Sequence, residues 1–455
     1  MINRRHFMRH LGGLSTLGIG TYLSTNSSSA FSASLSGYKA IIAIHLAGGN
    51  DGNNTLIPMD AAYNDYQSAR PVLALAKTEI TPLSGSFMGH TFGMNQALAP
   101  LLPSFNAGTM AFITNVGPLI QPTTAAQALK GSVQLPSYLY SHPEQQEMVN
   151  GWAGTQDPSG WGGRGIEAMD PTSSLTAPLI SLNGASNNLA LGRHSPLMNA
   201  YSSATRYIGQ ADLATPSNPW TQVMGALSRI QSSNPIENEY AKAFSRIYNN
   251  SSLLLNASMS TPTPSGFGTD SLSAQLSMVT KLMSYFSANG ASRQIYSLQW
   301  GGFDTHTNQR GTSTTGNMGQ DGQLATVANA LVSLQNALAQ ANLSNNVAIL
   351  VNTEFARTLD PASGAGSDHA WGNHWMVLGT PVKGAQIYGN TFPSLVKGGV
   401  DDASPQKRGY WVPQYSSDQV AADLLLWLGL QSSSLNGVMP NLNNFTNKTI
   451  GFMNS

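Results

Sequence analysis

The stretch Arg293-Gln294-Ile295-Tyr296-Ser297-Leu298-Gln299-Trp300-Gly301-Gly302-Phe303-Asp304-Thr305-His306 decides how this chain is read. Arg293 to Gln299 reads as a buried strand. The pair Gly301-Gly302 ends it, and Asp304 and His306 follow with one residue between them. Polar side chains that emerge where a strand ends lie where open α/β sheets build their sites, at the carboxyl edge. An Asp and a His at this spacing can turn towards one cation.

Two other stretches read as its partners, His45 to Gly52 near the start and Asp368 to His374 near the end. Tyr38 to Leu46 is a continuous apolar run, suited to the interior of a parallel sheet, and it opens into Gly48-Gly49-Asn50-Asp51-Gly52. Asp51 there is either a metal ligand or a turn residue, since Gly, Asn and Asp all favour turns. Asn346 to Val351 is a third apolar run and ends in Asn352-Thr353-Glu354-Phe355-Ala356-Arg357. The loop Asp368-His369-Ala370-Trp371-Gly372-Asn373-His374 follows, then a strand to Leu378. Further strands are expected at Met110 to Val116, Ala177 to Asn183 and Val382 to Tyr388. Helices are expected at Asn95 to Ala107, Trp220 to Met259, Leu272 to Phe286, Leu324 to Leu343 and Asp418 to Leu428. Strands alternating with helices argue for an α/β fold with a mainly parallel central sheet and helices on both faces.

Composition narrows the classes. The 455 residues carry 10% charged side chains, with 22 basic and 22 acidic, so no basic face for nucleic acid is expected. Cysteine is absent, which removes thiol nucleophiles, disulfides and Cys-ligated metals. A metal here must be held by Asp, Glu, His, Asn or backbone oxygen, a set that admits Zn, Mg, Mn or Ca. The start of the chain, Asn3-Arg4-Arg5-His6-Phe7-Met8-Arg9, precedes a mildly apolar run from Leu11 to Leu23 and small residues to Ala33. That order is a secretory signal of the twin-arginine kind, so residues 1–33 are expected to direct folded export to the periplasm or beyond. The mature part, 34–455, has no apolar run long enough to span a bilayer.

Three strands therefore end in an acid, Asp51, Asp304 and Glu354, with His306, His369 and His374 nearby. Asp and His gathered at one edge supply mixed oxygen and nitrogen ligands. Cations held there can clamp a phosphate or sulfate, and a Ser beside one becomes a nucleophile. The candidate is Ser141, in Tyr140-Ser141-His142-Pro143-Glu144. The plainer reading makes Ser141 the cap of a helix with Pro143 in its first turn and Glu144 closing a capping box. Arg164, in Gly160-Trp161-Gly162-Gly163-Arg164, and Arg357 are candidate clamps for anionic oxygens.

The motifs at His45 to Asp51, Ser141-His142, Gly160 to Arg164, Gly301 to His306, Thr353 to Thr358 and Asp368 to Asn373, together with the Arg pair, resemble an exported bacterial family of unknown function, numbered 1501. By resemblance that family belongs to the alkaline-phosphatase and sulfatase superfamily. The resemblance implies an alkaline-phosphatase-like α/β domain, with a helical insertion at about 200–290. It also implies a metal site at Asp51, Asp304, His306, Glu354 and His369, with Asp368 and His374 as further candidates. Some features depart from the superfamily pattern. Only Thr305 separates Asp304 from His306, where alkaline phosphatases have three residues. Phe355 replaces the His of a second acid pair. Glu144 and Gln145 replace the Ser and Arg of the sulfatase signature, so a formylglycine enzyme is not implied.

The first expectation is an exported metal-dependent hydrolase of phosphate or sulfate esters, acting on a small-molecule or glycan ester with Ser141 as nucleophile. The alternative is a non-catalytic exported protein that keeps the fold and one metal, serving envelope assembly or ligand binding. A metal-free Ser hydrolase lacks its G-x-S-x-G elbow here.

Overall fold

A computed structural model describes residues 35–182, 187–194, 198–199, 217–311 and 318–454. The chain divides into Met1–Leu35 and Ser36–Ser455. The signal-like segment, the last residue of the strand expected at Ala177 to Asn183 and the first part of the insertion expected at about 200–290 lie outside the described residues. No helix among the described residues is long and apolar enough to cross a membrane.

The strands are β1 (Lys39–Leu46), β2 (Leu56–Pro58), β3 (Ile80–Pro82), β4 (Phe92–Asn95), β5 (Met110–Gly117), β6 (Leu179–Ser181), β7 (Met198–Asn199), β8 (Arg293–Trp300), β9 (Val347–Asn352), β10 (Asn373–Leu378), β11 (Gln386–Tyr388) and β12 (Tyr415–Ser416). Nine form one sheet in the order β11-β5-β10-β9-β1-β8-β6-β7, with β12 beside β5. The remaining three make a small antiparallel sheet in the order β2-β4-β3. In the large sheet β10 alone runs against its neighbours β9 and β5; the other pairings are parallel. The fold is a mixed, mostly parallel sheet with helices.

Alternation along the central strands makes the sheet two-faced. Ile42 and Ile44 of β1, Tyr296 and Leu298 of β8 and Ile349 and Val351 of β9 join one cluster with Leu276, Val279, Leu331 and Leu334. Ile41 and Ala43, Ile295, and Ala348 and Leu350 join a second cluster with Ile166, Val420, Leu424 and Leu425. The helices Ser271–Ala288 and Gly319–Gln340 thus cover one face, and Trp161–Met169 and Ser417–Leu428 the other. Each fully buried Ile or Leu contributes roughly 1.5–3 kcal/mol over its exposed state. This burial holds the strand ends in fixed register.

Two expected helices are broken, each at a proline. Trp220 to Met259 is the pair Pro219–Leu227 and Pro235–Ser260, with Asn234 capping the second. Asn95 to Ala107 is a 3-10 turn, Gln96–Leu101, followed by a short helix, Leu102–Asn106, around Pro100 and Pro103.

The registers place the site. Leu46 lies beside Trp300, and His45 beside Asn352, so β1, β8 and β9 release their chains at one edge. Because β10 runs the other way, the loop before it, Asp368 to Gly372, arrives at this same edge.

Candidate metal centre

Two glycines let the loops close. Gly48 has φ +115° and lies against the backbone of Phe303 and Asp304, where a side chain would collide. Gly49, at φ +75°, lies against the Phe355 ring in the same way. Both conformations favour glycine. The turn after β1 can therefore pack directly on the turns after β8 and β9.

Three imidazoles converge on Asp304 above that contact. His142 opens the helix His142–Asn150, His306 follows β8, and His369 lies in the loop before β10. The Nε2 atoms of His306, His369 and His142 lie 3.1, 3.3 and 3.5 Å from Oδ1 of Asp304. Those of His306 and His369 are 3.0 Å apart. The ligand atoms of His142, Asp304 and His369 all lie within 4.8 Å of one another, so this group can hold a metal ion.

Each imidazole is backed on its other nitrogen. Nδ1 of His142 faces Oε1 of Glu354 at 2.8 Å, Nδ1 of His306 faces Oδ1 of Asp368 at 2.9 Å, and Nδ1 of His369 faces the Tyr140 carbonyl at 2.7 Å. An acceptor at Nδ1 puts the proton there in the neutral ring. Nε2 then presents a lone pair. The lone pairs of His142 and His369 and a carboxylate oxygen of Asp304 come together, with Nε2 of His306 beside those of Asp304 and His369, an arrangement that is repulsive without a positive charge among them. Nε2 of His142 is buried and without a hydrogen-bond partner, as a ligand atom turned towards such a point would be. Tetrahedral zinc, with bonds of about 2.0–2.1 Å, sets neighbouring donors about 3.3 Å apart. The measured separations from Asp304 bracket that value, and the donor set fits a divalent cation.

The surrounding charges keep the ligands in their binding forms. Burial works to raise the Asp304 carboxyl, but the Arg357 guanidinium, 2.5 Å from Oδ1, together with His142 and His306, holds it below the ordinary range. Burial also opposes ionisation of Glu354, and hydrogen bonds from His142 and His45 overcome it, leaving Glu354 lowered. Asp368 is lowered by Arg408 and His306 against the same burial. His369 is lowered chiefly by its own burial, which favours the neutral ring a metal requires. The Phe355 ring stacks on His369 with centroids 4.4 Å apart and fixes its plane.

Of the residues singled out in the sequence, the structure brings together Asp304, His306 and His369. Glu354 and Asp368 stand one contact further out. Oε1 of Glu354 takes the Gly48 N–H and His142, and Oε2 takes the Thr353 hydroxyl, with His45 at 3.2 Å. Asp51 is buried elsewhere in the turn: Arg70 and Gln309 occupy Oδ2, and Asn53 occupies Oδ1. His374 lies inside the protein, where its Nδ1 accepts the Asn115 N–H at 3.1 Å and its ring packs on Trp411 and Phe392. Burial pushes it down to about 3, so it stays neutral. Arg164 is buried and spends its guanidinium on the carbonyls of Val438, Gly151 and Ser159. Arg357 is also buried and binds the carbonyls of Gly48, Gly49, Phe303 and Ser367 as well as Asp304. Neither arginine has a free face for an anion. Ser141 occupies the cap position, yet its hydroxyl donates to the Glu144 carboxylate instead of accepting from the helix.

His142, His45 and Arg408 take part without having been assigned a role from sequence. His142 directly follows the Ser141 cap. His45 is the one polar ring in β1 and directly follows its apolar run Ala40 to Ile44. Nothing near Arg408 in the sequence marks it.

Comparison of the sequence with curated proteins finds no match. Solved structures similar to this chain include Ps i-CgsB in complex with k-i-k-neocarrahexaose, at 11% identity and TM-score 0.38, covering 90% of this chain and 77% of that one. A phosphonate monoester hydrolase from Silicibacter pomeroyi is similar at 9% identity and TM-score 0.31, over 87% and 74% of the two chains. A substituted alkaline phosphatase PafA is similar at 10% identity and TM-score 0.28, over 71% and 64%. In sequence, residues 38–397 match the family described as "Protein of unknown function (DUF1501)", and the chain belongs to that family.

Proposed function

We propose that this protein is an exported, metal-dependent hydrolase of phosphate or sulfate esters. The observation that carries the reading is the convergence of His142, His306 and His369 on Asp304, each imidazole backed at Nδ1 so that Nε2 points inward. Three imidazoles and one carboxylate favour zinc over magnesium or calcium, which take mostly oxygen donors. When bound, such a cation would act as a Lewis acid towards an ester oxygen. Charge supports an anionic substrate. Asp304, Glu354 and Asp368 oppose Arg357 and Arg408, which leaves one negative charge with neutral imidazoles; a divalent cation turns that into one positive charge.

Ser141 is the proposed nucleophile. It lies between Tyr140, whose carbonyl holds His369, and His142. Its hydroxyl already donates to Oε2 of Glu144. In the reaction Oγ would form the bond to phosphorus or sulfur as its proton passes to Glu144, the bond from that atom to the ester oxygen breaks, and the leaving oxygen takes the proton back from Glu144 and departs as the alcohol; water then cleaves the Ser141 ester, releasing phosphate or sulfate and restoring the hydroxyl. The twin-arginine-like start supports folded export with the metal loaded beforehand.

Zinc-loaded protein is expected to turn over p-nitrophenyl phosphate or sulfate, and Ser141→Ala to abolish turnover while retaining zinc. One observation favours the second reading, a non-catalytic exported protein with one metal: Arg164 and Arg357 are both spent on carbonyls. Zinc-loaded protein inert on both esters, whose melting temperature drops with EDTA, would establish it.

A further inference from the structure

An anionic ester at this centre needs a cation it can reach, and neither arginine picked from the sequence offers one. Two arginines touch the group of carboxylates around the imidazoles. Arg357 has no exposed side-chain surface, whereas Arg408 is 23% exposed. Arg408 is fixed from one side only: Nη1 lies 2.5 Å from Oδ2 of Asp368. Its other contacts, to Asp360, are long, 3.5 Å from Nη2 to the carbonyl and 3.7 Å from Nε to Oδ2. A guanidinium carries five N–H groups in a planar fork, so Arg408 keeps donors for an oxyanion. Its position is tied to the centre through two contacts, since the other oxygen of Asp368 backs His306 at 2.9 Å. His306 and Asp368, the two residues that link Arg408 to the centre, are themselves open to solvent, at 44% and 36%. Tyr410, two residues on, packs its ring against Tyr140 with centroids 4.9 Å apart, and the Tyr140 carbonyl in turn holds His369.

We propose that Arg408 is the anion-binding residue of this site, gripping the oxygens of a tetrahedral phosphate or sulfate group that do not face the imidazoles. This rests on the hydrolase reading and names the residue that selects an anionic substrate.

The test measures binding of inorganic phosphate and inorganic sulfate to zinc-loaded wild type, Arg408→Lys and Arg408→Ala, with zinc content determined on the same samples. Arg408→Ala is expected to keep its zinc and to bind the preferred anion roughly tenfold to a hundredfold more weakly, the cost of losing a charge-assisted hydrogen bond. Arg408→Lys is expected to recover part of the loss, because it restores charge without the fork. Anion affinity unchanged in Arg408→Ala, beside a wild type that binds, overturns the assignment and leaves the hydrolase reading standing. Loss of zinc along with the anion also overturns it, because Arg408 would then act only by holding Asp368 and His306. A zinc-loaded wild type that binds neither anion overturns both.

Discussion

Asp51 and Asp304 each follow a parallel strand at the same sheet edge, each behind a glycine pair, yet they meet opposite surroundings. Asp51 is sealed against Arg70, with Gln309 and Asn53 completing its hydrogen bonds and Gln320 bound to its backbone carbonyl. Asp304 is 48% exposed and faces three imidazoles whose lone pairs point towards it. One carboxylate is neutralised inside the protein by an arginine. The other has Arg357 behind it and an open face towards solvent. What separates a structural acid from a candidate ligand is therefore the neighbouring chains, not the local motif.

That contrast is broken most forcefully at Arg70. Arg70→Met leaves the Asp51 carboxylate buried without its partner, an error that costs about 3–5 kcal/mol. A large drop in the urea midpoint is expected, with zinc per folded molecule unchanged. If zinc were lost while the fold survived, Asp51 would belong to the centre after all. Asp304→Ala should do the reverse. Zinc binding disappears, while the metal-free urea midpoint moves far less than in the Arg70 variant, since this side chain is half exposed and Arg357 keeps its four carbonyl partners.

A smaller effect sharpens the role of the backing carboxylates. Glu354→Gln removes the charge behind His142 without removing a proposed ligand, and zinc affinity should fall about 10- to 100-fold. Isothermal titration against wild type reads this directly; equal affinity would mean that Glu354 does not orient His142.

A separate effect, away from the centre, is a pH dependence at His374. Its folded value is pushed down to about 3, so between that value and about 6.5 the unfolded chain takes up a proton that the fold refuses. Stability from this group is complete above about pH 6.5 and declines as pH falls, at up to about 1.4 kcal/mol per pH unit. Asp418 acts in the opposite sense, because burial holds its folded value up to about 7. The informative quantity is therefore the difference between wild type and His374→Leu. Urea midpoints from pH 6.5 to pH 4 should fall less steeply in the variant, and identical slopes would show that His374 carries no such linkage.

Much of the scaffold was legible because the central strands are apolar on both faces. The run at Tyr38 to Leu46 differs from the observed strand by one residue at its start, and the run at Asn346 to Val351 by one residue at each end. The direction of β10 was not legible, since a buried strand has the same composition in either sense. Asp304, His306 and His369 could be picked out because polar residues follow directly where those apolar runs stop. The division of labour among the acids was hidden. Glu354 and Asp368 have the composition of ligands, and only the fold places an imidazole in front of each. The pairing of Asp51 with Arg70 spans 19 positions with no pattern to announce it. His142 is obscured in the sequence because Ser141-His142-Pro143-Glu144 is complete as a helix start, with the hydroxyl and the carboxylate as its recognisable parts.

The central claim, that three backed imidazoles and Asp304 define one cation position, is tested most directly by X-ray absorption at the zinc edge of the loaded protein. The account predicts one tightly bound zinc with imidazole scattering from three rings and an oxygen from a carboxylate. A protein that takes up no stoichiometric zinc, or a spectrum of oxygen neighbours without imidazole scattering, would contradict it.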